Sequence, residues 1–362
     1  MNETTQRLSA LTPIGHVLAR VAALAQPVAA REAAVADAEG RVLAADATVR
    51  APHPATPIAL RDGWAVRADA VGDAGPYTPM PVTPVWVDAG AALPAGADAV
   101  LPRDAVMLGG AGAEALSAAT AGDGVLAAGA DAKPDTPLRR AGERLRAVDV
   151  AALQGAGIAR VMIREPRVRV VAMPGCDAVA LTISRAASAH GVVVIFVRAL
   201  ERALADEHTD IVITVGGTGE GRNDASVAML ARMGQVDIHG FGIAPGETAA
   251  LGAAKGHPVL MLPGRLDAAL AAFLVVGEPL LRRLTGLAAR EPGTPVALTR
   301  KIVSTVGLAE VAPLRRVGDG AEPLASGYWP LQALTRADGF VVLPPESEGF
   351  AAGTVVEMRA FP

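Results

Sequence analysis

The sequence predicts an α/β multidomain protein: a parallel-sheet domain with helices on both faces, a β-rich inserted domain and a C-terminal β domain. Three observations predict it. From Arg167 to about residue 286, short apolar runs alternate with segments of helical periodicity, the pattern of parallel strands covered by helices. Residues 72–140 are rich in Gly, Pro, Val and Ala and lose that periodicity, with alternating runs such as VTPVWVDAG and GADAVLPRDAVML. After Pro292 the alternation returns to period two, in PVALTRKIV and GFVVLPP, the spacing of half-buried strands.

In chain order, residues 5–26 carry apolar positions at helical spacing from Leu8 to Val21, and Pro27 ends them. AEGRVLAADATV, residues 38–49, reads as a turn feeding a strand. APHPATPIAL, residues 51–60, has three prolines and no period, as a loop or linker would. RDGWAVRADAV, residues 61–71, places an Asp-Gly turn before an alternating strand. AVDVAALQGAGI is a helix closed by glycines, followed by the strand ARVMI. The α/β alternation then sets strands at RVRVVAM, VVVIFVR, Ile211–Val215 and HPVLMLPG. Its helices are ALTISRAASAHG, ALERALADEH, DASVAMLARMG and LDAALAAFLVVGEPLLRRLTG. The expected units are 1–71 with 141–166, 72–140, 167–286 and 287–362.

Composition narrows the function. Net charge is −4 and the pI about 5.9, so no basic field recruits nucleic acid or an acidic membrane. No run is long and apolar enough to span a bilayer, and the N-terminus lacks the pattern of a signal peptide. Cys176 is the single cysteine; a chain without internal disulfides suits a reducing, cytoplasmic setting. With only six Phe, three Trp and two Tyr, the core must be built from Ala, Val and Leu.

The stretch DIVITVGGTGEGRND, residues 210–224, carries the strongest chemical signal. A β-branched run ends in Gly216, Gly217, Thr218, Gly219 and Gly221, and a helix follows that Asn223, Asp224 or Ser226 could cap. Strand, glycine loop and helix start aim free amides and a helix dipole at one spot, which suits an anion. A tight turn without a ligand is the plainer alternative. The loop matches neither GxxxxGK[ST] nor GxGxxG. A second loop, Pro263-Gly264, also leaves the carboxyl end of a strand, where open α/β sheets bind ligands.

Fragments along nearly the whole chain resemble one family. EGRVLAADA (39–47), RDGWAV (61–66), GAALPAGADAV (90–100), the linking segment 139–171, VGGTGEGRND, VLMLPG (259–264) and residues 326–358 recur in its order. The family is the molybdopterin molybdenumtransferases, or molybdenum insertases, related to the C-terminal domain of gephyrin. The resemblance implies four subdomains, with residues 1–71 and 141–166 linking and dimerising, and 167–286 binding molybdopterin. It also implies a homodimer with the pterin site at a domain and subunit junction. The implied reaction inserts molybdate into adenylylated molybdopterin with Mg2+ and releases AMP; the adenylyltransferase or a client molybdoenzyme would be a partner. Carried onto this chain, it implies Asp62, Asp177 and Asp224 as catalytic, with Asp177 and Asp224 holding the metal. Gly216, Gly217, Thr218, Gly219, Gly221, Arg222, Pro263 and Gly264 would bind the cofactor.

The chain also departs from the family. S-T-G-D-E reads MPGCD, which puts Asp177 in place of the glutamate, and the R-D-S-N segment is absent. K-P-G-K reads APGE, residues 244–247, the T-G-A threonine becomes Ala89, and L-P-G-N-P carries Arg265 and Leu266. A lysine replaced by Glu247 inverts the local field, which Arg222, Arg265 or Arg198 would have to restore. These losses motivate an alternative: a cofactor-binding carrier or maturation factor without insertase chemistry. Cys176 reads as an inert thiol, His239 and His257 as structural, and the arginines at 139–146 as a solvated face.

Overall fold

The computed structural model describes residues 6–110, 112–289 and 292–362; residue 5 of the expected first helical stretch, and residues 1–5 of the first unit, lie outside them. Its centre is a six-stranded sheet in the order Val193–Phe196, Arg167–Ala172, Ile211–Val215, His257–Leu262, Ala250–Ala254, Gln235–His239. The first four strands are parallel, as the alternation predicts. The last two are an antiparallel addition that periodicity did not reveal. QVDIH alternates over only five partly exposed residues and ALGAA is made of small residues, so neither stood out as a strand.

All of Ile211–Val215 is buried. Side chains alternate across a strand, so Ile211, Ile213 and Val215 enter one core with helices Asp177–Ser188 and Leu266–Ala272. Val212 enters a second core with helices Leu200–Ala205 and Ser226–Met233. Burying each such side chain contributes about 1.5–3 kcal/mol, which fixes the strand whose end carries the glycine loop.

The segment read as one long helix after Leu266 has three parts: α-helix to Ala272, a π-helical turn Phe273–Gly277, and α-helix Glu278–Thr285. Pro279 lacks the N–H for the regular ladder, so the turn before it widens. Gly286 closes the helix in the left-handed region.

Near the N-terminus, helix Ile14–Leu24 is narrower than the stretch 5–26, and Arg31–Ala34, Arg160–Arg164 and Val42–Leu43 form a three-stranded antiparallel sheet. Gly63–Val66, read with the N-terminal unit, instead lies between Val85–Val87 and Ala99–Leu101 inside the inserted region. Its turn signal was legible, but its pairing partners lay beyond the composition shift used to mark the insertion.

The C-terminal sheet has seven strands and closes on itself, because Ala309–Val317 pairs with both Gly320–Pro323 and Gly339–Leu343. Two of its strands come from far upstream: Thr12–Pro13 and Phe241–Ala244. Trp329 is buried where this sheet meets the central core, its indole N–H donating to Val311 O at 2.9 Å.

Candidate functional site

At the carboxyl ends of Ile211–Val215 and His257–Leu262 lies a cleft of about 780 Å³, within the range of small-molecule sites. The glycine loop forms one wall, through Gly216 to Gly219 with Asn223 and Asp224. Pro263, Gly264 and Arg265 form another, and Glu247 and Thr248 of the APGE loop a third.

The loop's carbonyls are held by side chains. Gly216 O accepts from Ser226 Oγ at 3.1 Å, and Gly217 O from Ser226 Oγ at 2.6 Å and Gln6 Nε2 at 2.8 Å. Thr218 O pairs with His239 Nε2 at 2.9 Å, and Gly219 O accepts from Gln6 Nε2 at 2.6 Å. With these carbonyls tied back, the amides of Gly217, Thr218 and Gly219 have no partner among the described residues. Successive free amides form an anion-receptive nest, seated here above the N-terminus of helix Ser226–Met233. Two glycines are required by geometry. Gly217 has φ +73°; Gly216 has φ +97°, and a Cβ there would stand 2.5 Å from Cys176 Sγ.

The expected helix cap does not form. Ala225 occupies the N-cap position and no side chain near it in sequence caps the helix. Asp224 Oδ2 instead accepts from Gly221 N at 2.9 Å, closing the loop upon itself. Ser226 turns its hydroxyl back to the loop carbonyls.

The structure sorts the expected residues. Gly216, Gly217, Thr218, Gly219, Asp224, Pro263 and Gly264 line the cleft. Gly221 and Arg222 are exposed beyond the lining, as is Arg198. Asp177 is exposed at the start of its helix, next to Cys176. Asp62 lies in the bend before strand Gly63–Val66, accepting from Ala89 N at 2.7 Å. Two motif positions therefore meet there, outside the lining of this cleft. Among the described residues no group of three or more His, Cys, Asp or Glu side chains is arranged to hold a metal.

Charge in the cleft comes from Asp224, Glu247 and Arg265, so Arg265 is the sole cationic side chain in its lining. Its Nε donates to Asp267 Oδ1 at 3.1 Å, and its guanidinium stacks 4.8 Å from the Tyr328 ring centroid. Buried Asp267 also accepts from Trp329 N at 3.2 Å, so the C-terminal domain fixes this arginine. The Asp267 hydrogen bond raises the guanidinium's already high pKa. Burial, then the charges of Asp177 and Asp224, push the Cys176 thiol above its ordinary value; it is a neutral thiol, not a nucleophile. Gln6 and Thr248, whose hydroxyl pairs with Thr218 Oγ1 at 3.1 Å, went unnoticed as loop supports, while His239, read as structural, serves as one.

Comparisons with known proteins agree with this geometry. Residues 12–157 match the MoeA N-terminal region (domains I and II), 186–283 a probable molybdopterin-binding domain, and 295–361 the MoeA C-terminal region (domain IV). Molybdopterin molybdenumtransferase 1 of Mycobacterium tuberculosis is 27% identical across 94% of this chain and 96% of its own. Molybdopterin molybdenumtransferase 2 of that organism is 26% identical across 89% and 92%. The molybdopterin biosynthesis MoeA protein of Pyrococcus horikosii superposes with TM-score 0.76 at 26% identity, covering 98% of this chain and 100% of that one. The fold is that of a multidomain molybdopterin-binding protein. The chain belongs to the MoeA family, and its function lies in molybdenum cofactor biosynthesis.

Proposed function

We propose that the chain is a molybdopterin molybdenumtransferase that inserts molybdate into adenylylated molybdopterin and releases AMP. The observation that carries this is the nest of unpartnered amides at Gly217, Thr218 and Gly219, whose carbonyls are held by Ser226, Gln6 and His239. Such a nest suits a phosphate of the pterin substrate. Arg265 would add a planar, fixed cation for an oxyanion, the part played by lysines in the family's K-P-G-K loop. Pro263 and Gly264 would bound the pterin's other side.

Magnesium fits as an ion carried in with the substrate, not as a resident one. Magnesium keeps several waters and uses one or two carboxylates plus substrate phosphates. Asp224, with one oxygen on Gly221 N, and Asp177 at the helix start are the carboxylates for it. When bound, the ion would neutralise phosphate charge. We further propose a cytoplasmic homodimer. Asp62 is outside the cleft lining of its own chain, which supports a site completed by a second copy; a client molybdoenzyme or the adenylyltransferase would dock on that assembly.

Glu247 favours a second reading. An acid in the cleft where the family has a lysine weakens oxyanion binding and suits a cofactor carrier. Incubating the purified protein with adenylylated molybdopterin, molybdate and magnesium separates the two: AMP release supports transfer, and pterin binding without AMP release supports the carrier. Gly217→Val should abolish pterin binding by either. Valine disfavours φ +73°, and its Cβ would press within 3.1 Å of Ser226 Oγ. No pterin binding by the unaltered protein would eliminate both readings.

A further inference from the structure

We infer that Gln6 is a positioning residue of the anion nest, holding the glycine loop in its receptive state from 211 residues away. The inference rests on the reading of the loop as an anion seat. A primary amide offers two donors and an acceptor, and Gln6 uses both kinds. Its Nε2 donates to Gly217 O and Gly219 O at 2.8 and 2.6 Å, so both peptides are held with their carbonyls toward the N-terminal segment. Its Oε1 accepts from Ala228 N at 3.3 Å, which supplies the helix start with the side-chain acceptor that its own neighbours do not provide.

The segment bearing Gln6 is itself fastened at both sides. Leu8 N donates to Glu220 Oε1 at 2.7 Å, and Thr12–Pro13 pairs in parallel with Phe241–Gly242. Gly240, between those anchors, leaves no room for a side chain: a Cβ there would meet Ala10 O at 2.5 Å and Leu8 Cδ1 at 2.7 Å. The strap therefore reads the loop's peptide orientation directly. Without the Gln6 amide, Gly219 O loses its donor among the described residues and is free to rotate toward the cleft, where it would repel an anion, while Gly217 O is left to Ser226 alone.

The test uses the full chain with Gln6→Ala and Gln6→Glu, and inorganic phosphate as the probe, followed by 31P line broadening. Each variant's thermal midpoint is measured in parallel. Gln6→Ala should weaken phosphate binding roughly five- to thirtyfold, the loss of one or two hydrogen bonds. Gln6→Glu should weaken it further, because a carboxylate cannot donate and faces two carbonyls. Gln6→Asn, which keeps the amide on a shorter arm, should recover part of the affinity. A Gln6→Ala protein with a lower midpoint and unchanged phosphate affinity overturns the positioning role and leaves the loop assignment standing. Phosphate binding absent from the unaltered protein overturns the loop assignment and the role of Gln6 together.

Discussion

Arg265 reaches the cleft with its guanidinium already engaged by Asp267 and stacked on Tyr328. Pre-ordering of this kind lowers the entropy lost on binding an oxyanion, and lysine offers neither the fork nor the stack. Arg265→Ala should weaken phosphate binding about tenfold, and Arg265→Lys should recover only part, as read by titration calorimetry. Cys176 yields a pH prediction. Its thiol is raised, so the protonated form is favoured in the folded chain and its contribution to stability is complete below the unfolded thiol pKa. That contribution is lost as pH rises through the folded value. Alkylation should therefore stay slow at neutral pH, and Asp177→Asn should quicken it by removing one of the charges that raise the thiol. Equal alkylation rates in the two proteins would contradict that electrostatic cause. Asp224→Ala should cost about 1 kcal/mol through the lost Gly221 contact; unaltered magnesium dependence of turnover in that variant would remove Asp224 from the metal's ligands.

At the scale of elements, the join between strand and glycine loop is set by contact. Gly216→Ala would place a Cβ 2.5 Å from Cys176 Sγ in a strained φ, with an expected loss of about 2–4 kcal/mol. Cys176→Ala in the same chain should restore part of it, since the Cys176 Cβ lies at an ordinary 3.5 Å. Denaturant unfolding of the single and double variants gives the coupling energy, and simple additivity would show that the sulfur is not the obstacle. The same region shows what a sequence discloses. Ile211–Val215, the glycines and the periodic helix after them were legible because their signals are local: β-branched bulk, absent side chains, spacing by turns. The cap was misread because Asp224 and Ser226 had two local partners to choose from, and the loop won both. Gln235–His239 was missed because its alternation is short and half-exposed, and Ala250–Ala254 because its small side chains carry no period. Gln6 could not have been found, since nothing at residue 6 points to residue 217.

For the whole molecule, Trp329 ties the C-terminal sheet to the helix that follows the cleft, through Asp267 and Val311. Trp329→Ala should cost about 3–5 kcal/mol and also loosen Arg265, so stability and phosphate affinity should fall together. Stability lost with affinity intact would show that the two domains are coupled only by packing. The proposed homodimer has its own expected outcome. Mixed dimers of Asp62→Ala and Gly217→Val chains should recover one working site if each cleft draws Asp62 from the other copy. Recovery is not expected if both residues serve the cleft of their own chain.

The bond between Gln6 and the loop also has a consequence in time. Gln6 leaves the ribosome before its partner Gly217, which is 211 residues later. At about 5–20 residues per second of synthesis, that is a wait of about 10–40 s. During that interval the N-terminal segment has no docking site, and the strand Thr12–Pro13 waits still longer for Phe241. The nascent chain must therefore keep the segment around Gln6 out of other associations until the central sheet exists. The capacity to bind an anion would then emerge late in synthesis, and a pulse-labelled chain should acquire phosphate-protected proteolysis patterns only after the strap has docked.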